Sequence, residues 1–166
     1  MIEYREGDIT KQEDIQTIVH QCNCVSRNAA HLAKTIFSVF PWADIYKERD
    51  DKIIDYNNFA QGEGPGNILI RDNVKDEKFV INLLGQVFPG RPRFPDSNID
   101  GYKAREKFFQ KALDTISKIK DLKSIAFPDH IGCGAAGGNW ETYKKMIEDF
   151  ADKLESVKVY IVKFNG

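Results

Sequence analysis

Ile131-Gly132-Cys133-Gly134-Ala135-Ala136-Gly137-Gly138-Asn139-Trp140 joins an apolar run to an amphipathic one through almost no side chains, with four glycines in seven residues. A glycine-rich turn lets main-chain N–H groups approach a ligand with no Cβ in the way. A helix starting just beyond it adds the positive end of its dipole. Such a turn suits a phosphate. It serves equally as a tight strand-to-helix connection that binds nothing, and its neighbours along the chain decide between the two.

Those neighbours alternate strand and helix. Ser124 to Pro128, just upstream, is a short buried strand. Downstream, Asn139 is a natural N-cap for a helix from Trp140 to Leu154 with Tyr143, Ile147, Phe150 and Leu154 on its inner face, and Val157 to Phe164 closes the chain as a strand. Gly101 to Lys120 is the clearest helix, with Phe109, Ala112, Leu113, Ile116 and Ile119 at helical spacing. Further upstream, Asn67 to Arg71 and Phe79 to Leu84 read as a hairpin around the polar Asp72 to Lys78. Gly85 to Asn98, with three prolines, two glycines, Arg91 and Arg93, reads as a long irregular loop of the kind that carries function.

Towards the N-terminus, Ala29 to Phe40 is a helix closed by Pro41, and Trp42 to Arg49 a second short one. Asn57 to Gly66 is loop, and Met1 to Arg5 an edge strand broken by Gly7-Asp8. Ile15 to Cys24 is β-branched until its polar end, as a central strand is where it reaches a site. Together these predict an α/β chain: a three-layer αβα sandwich around a central mixed sheet.

Composition bounds the function. A chain of 166 residues, 42% hydrophobic and 30% charged, fits one domain, 1–166, with no run long enough to span a bilayer. A net charge of -1 gives no general attraction to nucleic acid, so an anionic ligand must be held locally. Three cysteines cannot all pair, and Cys22 and Cys24 are too close for an ordinary disulfide. Free thiols and an N-terminus unlike a signal peptide predict a cytoplasmic protein, nucleocytoplasmic or host-cytoplasmic if viral. A monomer is expected as well.

In order, Gly7-Asp8-Ile9-Thr10, the strand end Val19-His20-Gln21-Cys22-Asn23, the helix from Ala30 and the Ile131-Gly132-Cys133-Gly134 loop before a Trp-led helix resemble the macrodomain family of ADP-ribose binders and hydrolases. The resemblance covers nearly the whole chain, and the ordered set carries it rather than any one motif. It implies that Asp8 accepts a hydrogen bond from the adenine amino group, with Ile9 assisting through its backbone. The residue alone allows a turn or helix-start role as well. It implies that Asn23 contacts the distal ribose, its amide both donating and accepting, and that Cys22 belongs to the ligand-binding set. In the loop that follows, Ala29-Ala30-His31 stands where the family commonly has consecutive glycines, and Ala30, His31 and Leu32 are the candidate ligand contacts. It also implies that the backbone of Gly132, Cys133, Gly134, Ala135, Ala136 and Gly137 holds the pyrophosphate.

Within the family, His20-Gln21-Cys22-Asn23-Cys24 is similar to the fungal ADP-ribose 1''-phosphate phosphatases. That makes His20 a candidate proton carrier, against a structural histidine in a buried strand. Asp129 and His130, one position before the glycine loop, are the second candidates, against a solvated strand end. His20, Cys22 and Cys24 share a face by period-two alternation but lack a fourth ligand and the usual zinc spacings, so no metal and no cofactor is expected. The lysine that some family branches use falls at Arg71 or Gln86, and their loop acid at Ala136, so those covalent mechanisms are not supported. The implied function is binding of ADP-ribose derivatives with hydrolysis of ADP-ribose 1''-phosphate. The alternatives are a non-catalytic ADP-ribose module and removal of ADP-ribose from a protein or nucleic acid.

Overall fold

A computed structural model describes residues 1–165. In chain order it comprises β1 (Ile2–Glu6), β2 (Thr17–Asn23), α1 (His31–Val39), β3 (Ile68–Asn73), β4 (Lys78–Gln86), α2 (Tyr102–Ile116), β5 (Ser124–Pro128), α3 (Trp140–Lys153) and β6 (Lys158–Lys163). The strands form one mixed sheet in the order β1-β6-β5-β2-β4-β3. Only the β3–β4 pair is antiparallel, as a hairpin requires, and the rest run parallel.

Alternation along the strands feeds two cores. Ile18, Val80, Ala126 and Tyr160 face one way and pack with Ile36, Phe37 and Phe40 around α1. Their neighbours Val19, Ile81, Ile125, Phe127 and Ile161 face the other and pack with Phe109, Leu113 and Ile116 of α2 and Tyr143, Ile147 and Phe150 of α3. A strand buried on both faces reads as a continuous apolar run, which is what β2, β4 and β5 show. Each fully buried Leu, Ile or Phe contributes about 1.5–3 kcal/mol, so these two clusters hold the three layers together.

The expected helix over Trp42 to Arg49 is replaced by two short 3-10 turns, Pro41–Ala43 and Lys47–Arg49. The Asp44 carboxylate breaks the continuity by accepting from the N–H groups of Tyr46 and Lys47, which starts a new turn. β4 continues through Gln86, past the expected end at Leu84, so the irregular loop starts later. All three cysteines are free, and no helix of the described residues is long and apolar enough to cross a membrane. Because five strands point the same way, the carboxyl ends of β1, β2, β4, β5 and β6 lie along one edge of the sheet, where ligands gather in open α/β folds.

Candidate ligand-binding cavity

A cavity of about 530 Å³ opens over the carboxyl ends of β2, β4 and β5. One wall is the turn after β5. Its internal hydrogen bonds run from Ile131 N–H to the Pro128 carbonyl, Cys133 to His130, Gly137 to Gly134 and Gly138 to Gly132. The N–H groups of Gly134, Ala135 and Ala136 find no acceptor among the described residues, and all three residues line the cavity. Gly132 and Gly137 adopt positive φ values of 74° and 76°. A Cβ at Gly132 would also stand 2.8 Å from the Tyr143 ring, so glycine is required there. Gly134 differs, since a Cβ there meets nothing within 4 Å.

The opposite wall runs from Asn23 to the start of α1. The Asn23 side-chain oxygen accepts from Val25 N–H at 3.0 Å and Ser26 N–H at 2.7 Å. Arg49 clamps the same turn by donating to the carbonyls of Ser26 and Asn23, and the Tyr46 hydroxyl accepts from Asn23 N–H. The turn takes up the Asn23 oxygen, against the expectation that this amide is free to accept, and its nitrogen has no partner among the described residues. Ala30 is extended and gives α1 no side-chain cap, while His31 opens the helix at φ 56°, in the left-handed region. Ala30, His31 and Leu32 line the cavity, so uncapped helix N–H groups lie beside it.

Beneath this wall lie His20 and Cys22. Asn82 donates through its amide nitrogen to the carbonyls of Ala43 and Leu69, which leaves its oxygen to accept from His20 Nε2 at 2.6 Å. The proton is therefore on Nε2. The ring is 1% exposed and packs edge-on against Phe37. Burial lowers its pKa to about 4 against the opposing pull of the Asn82 hydrogen bond, so the ring is neutral near pH 7. Cys22 Sγ lies 3.5 Å from Nε2, and burial raises its thiol far above the ordinary range. His20 lines the cavity, but its one N–H is committed to Asn82 and its ring is buried, which is the structural-histidine alternative.

Asp129 and His130 stand on the cavity rim. The Asp129 carboxylate is hydrogen-bonded to His130 Nδ1, and the His130 ring stacks on Trp140 at 5.0 Å and 18°. The His130 side chain is 57% exposed, and Nε2 has no partner among the described residues. The strained φ of 62° at His130 turns the chain from β5 into the glycine loop. Cys133 is half-buried in that loop, and burial pushes its thiol up to about 12.

Asp8 and Ile9 lie outside the cavity lining. Asp8 caps the 3-10 turn Ile9–Lys11, with Oδ1 accepting from the Thr10 N–H at 2.9 Å and hydroxyl at 2.6 Å. Desolvation raises its pKa, but the two Thr10 hydrogen bonds and nearby Lys11 outweigh that and hold it below the usual value. The structure thus shows the helix-start role, and Oδ2 takes no donor from the described residues.

Several lining residues escaped the sequence reading. Gln86, one of the two positions aligned with a lysine, is at the cavity, where its side-chain oxygen accepts from Gln21 Nε2 at 2.7 Å. Arg71, the other, is paired with Glu48 on β3. Pro89 and Gly90 form a third wall, fixed from below by Asp100 and Arg105. Asp100 accepts from the N–H groups of Val87 and Phe88, and buried Arg105 binds Asp100 and the carbonyls of Phe88 and Gly90. The length of the proline-rich loop was the one signal for this wall. Among the described residues, no group of three or more His, Cys, Asp and Glu is placed to hold a metal.

Solved macrodomains share this three-layer αβα architecture. The chain superposes on the macrodomain of Thermus aquaticus DarG with a TM-score of 0.67 at 21% identity, covering 98% of this chain and 97% of that one. The macrodomain of Mycobacterium tuberculosis DarG gives 0.67 at 18% identity over the same shares. An Oceanobacillus iheyensis macrodomain variant with ADPR gives 0.62 at 19% identity, covering 99% of this chain and 85% of that one. This chain therefore has the macrodomain fold. In sequence it is similar to an uncharacterised 17.5 kDa protein from the tk-vs intergenic region of Enterobacteria phage T4, at 24% identity over 166 residues and 96% of each chain. No family model matches the chain.

Proposed function

We propose that the cavity binds ADP-ribose and its derivatives. The observation that carries this reading is the run of N–H groups without acceptors at Gly134, Ala135 and Ala136, facing the uncapped start of α1 across the cavity. Two sets of main-chain donors accommodate a pyrophosphate without net positive charge, which suits a chain of charge -1. The macrodomain with ADPR among the structural neighbours supports the same ligand class. The free amide nitrogen of Asn23 is the donor for the distal ribose, and Oδ2 of Asp8 remains the acceptor for the adenine amino group at the β1 end of the edge.

The same site hydrolyses ADP-ribose 1''-phosphate. Asp129 and His130 form the acid–base pair that the rim presents, and His130 is the proton carrier in place of His20. Water adds to phosphorus and gives a proton to His130. The bond from phosphorus to the 1''-oxygen breaks, and that oxygen takes the proton back. Titration calorimetry with ADP-ribose tests the binding, and phosphate release from ADP-ribose 1''-phosphate tests the chemistry. His130→Gln is expected to keep ADP-ribose affinity and to lose 100-fold or more in turnover, at the scale of general acid–base catalysis. Undiminished turnover in both His130→Gln and Asp129→Asn removes the pair from the mechanism. Gln86 in place of a lysine and the buried, hydrogen-bonded His20 favour a second reading, a non-catalytic ADP-ribose module. Tight binding with no phosphate released selects it.

A further inference from the structure

Among the large apolar side chains that stand exposed, five lie on two loops that touch each other. Ile53 and Tyr56 belong to the loop 50–66, and Phe88, Phe94 and Ile99 to the loop 87–100. The loops are joined where the Tyr56 ring meets Phe88 edge-on at 5.4 Å. None of the five lines the cavity, although Pro89 and Gly90, beside Phe88, do. Large apolar groups held out in water on a monomer cost solubility without serving its core. The five are between 40% and 98% exposed, so at roughly 200 Å² for a large side chain they offer on the order of 600 Å² per copy of the chain. Two such faces together clear the ~1,000 Å² that a specific interface needs.

Charge divides this patch into two unlike lobes. The first exposes Asp50, Asp51 and Asp55 against Lys52, which is itself paired with Glu63. The second exposes Arg91 and Arg93 against Asp96. Neither arginine, and none of the three aspartates of the first lobe, makes an ion pair among the described residues. Both lobes are fixed before anything binds. Asp100 and Arg105 hold the backbone at Val87, Phe88 and Gly90, the Asp55 carboxylate accepts from Asn57 N–H, and Arg27 donates to the Lys52 carbonyl. Little ordering is then left to do on contact. A polyanion or an acidic membrane would gain the arginines but meet the three aspartates. A face with one acidic and one basic lobe is instead complementary to its own copy turned through a half-rotation.

We propose that this patch is the interface of a two-fold dimer. The acidic 50–55 lobe of each copy meets the basic 91–93 segment of the other, and Ile53, Tyr56, Phe88, Phe94 and Ile99 of both copies are buried between. The partner is a second copy of this chain, in place of the expected monomer. The inference is independent of what the cavity binds. It bears on the cavity only because the dimer braces the segment that supplies Pro89 and Gly90 to the third wall.

Sedimentation equilibrium over a range of protein concentrations, at low and at high salt, tests the dimer. The chain is expected to approach twice its monomer mass at the upper concentrations and to dissociate more readily as salt screens the lobes. Phe94→Ser should weaken the dimer at least about tenfold, the loss expected of an aromatic anchor. An Asp50→Arg, Asp51→Arg variant makes both lobes basic, and an Arg91→Glu, Arg93→Glu variant makes both acidic. Each alone should be monomeric. Mixed in equal amounts the two should pair, because every contact between them is again acid against base, and that pairing shows that both fold. A monomer at every concentration up to the millimolar range overturns the proposal. So does an undiminished dimer in Phe94→Ser or in either double variant, or failure of the two double variants to pair while each keeps a cooperative thermal transition. Growth into open-ended oligomers, instead of a stop at two copies, overturns the two-fold arrangement.

Discussion

Two glycines in one loop do opposite work. Gly132 is needed by the protein: its φ of 74° and the Tyr143 ring at 2.8 Å make Gly132→Ala destabilising by about 1–3 kcal/mol, read by chemical denaturation. Gly134 is needed by the cavity: its Cβ position is open, so Gly134→Glu should leave the melting temperature within a few degrees and abolish ADP-ribose binding. Retained affinity would show that the pyrophosphate lies elsewhere. His20 makes a different kind of prediction. Its folded pKa, about 4, lies below the ordinary 6.5, so the unfolded chain binds a proton that the folded one refuses. Stability is then fully present above about pH 6.5 and falls by up to roughly 3 kcal/mol as pH drops towards 4. In denaturation across that window, His20→Gln should flatten the slope attributable to this residue; an unchanged slope would mean that His20 is not the group responsible.

Among the elements, periodicity made the central strands and the longer helices legible, because both faces of β2, β4 and β5 and one face of each longer helix are buried. Ile18 and Val19, one residue apart, serve different cores. The glycine loop was legible as a turn between strand and helix, although its composition alone allowed a plain connection equally well. What single residues do through distant partners was not. Nothing in Asn82 announces that it fixes the tautomer of His20, and the register shift between Cys22 and Asn23 that ends the simple alternation is a property of the β2–β4 pair. The third cavity wall hangs on Asp100 and Arg105, 5 residues apart, which look like ordinary surface charges on the page. Removing one partner of a buried pair leaves a charge without compensation, so Asp100→Ala should cost about 3–5 kcal/mol. The released loop should then be cut faster after Arg93 in limited trypsin digestion, with Arg105→Met behaving alike.

For the molecule as a whole, the strand order places β6, near the end of the chain, between β1 and β5. Deleting the chain from Val157 onward removes a fully hydrogen-bonded interior strand and leaves β1 without a neighbour. Circular dichroism of that truncated chain should show no cooperative melting transition, whereas deletion of β1 alone, an edge strand, should leave a weaker but cooperative one. The parallel pairing of β1 with β6 also settles how the protein can be mounted. Ile2 sits opposite Val159 and Glu6 opposite Lys163, so the chain enters at one rim of the sheet and leaves at the other. The leaving rim is the one that bears the cavity. A probe, bead or fusion partner joined through the amino end therefore hangs from the far side with the cavity facing outward, while the same attachment at the carboxyl end hangs beside the mouth.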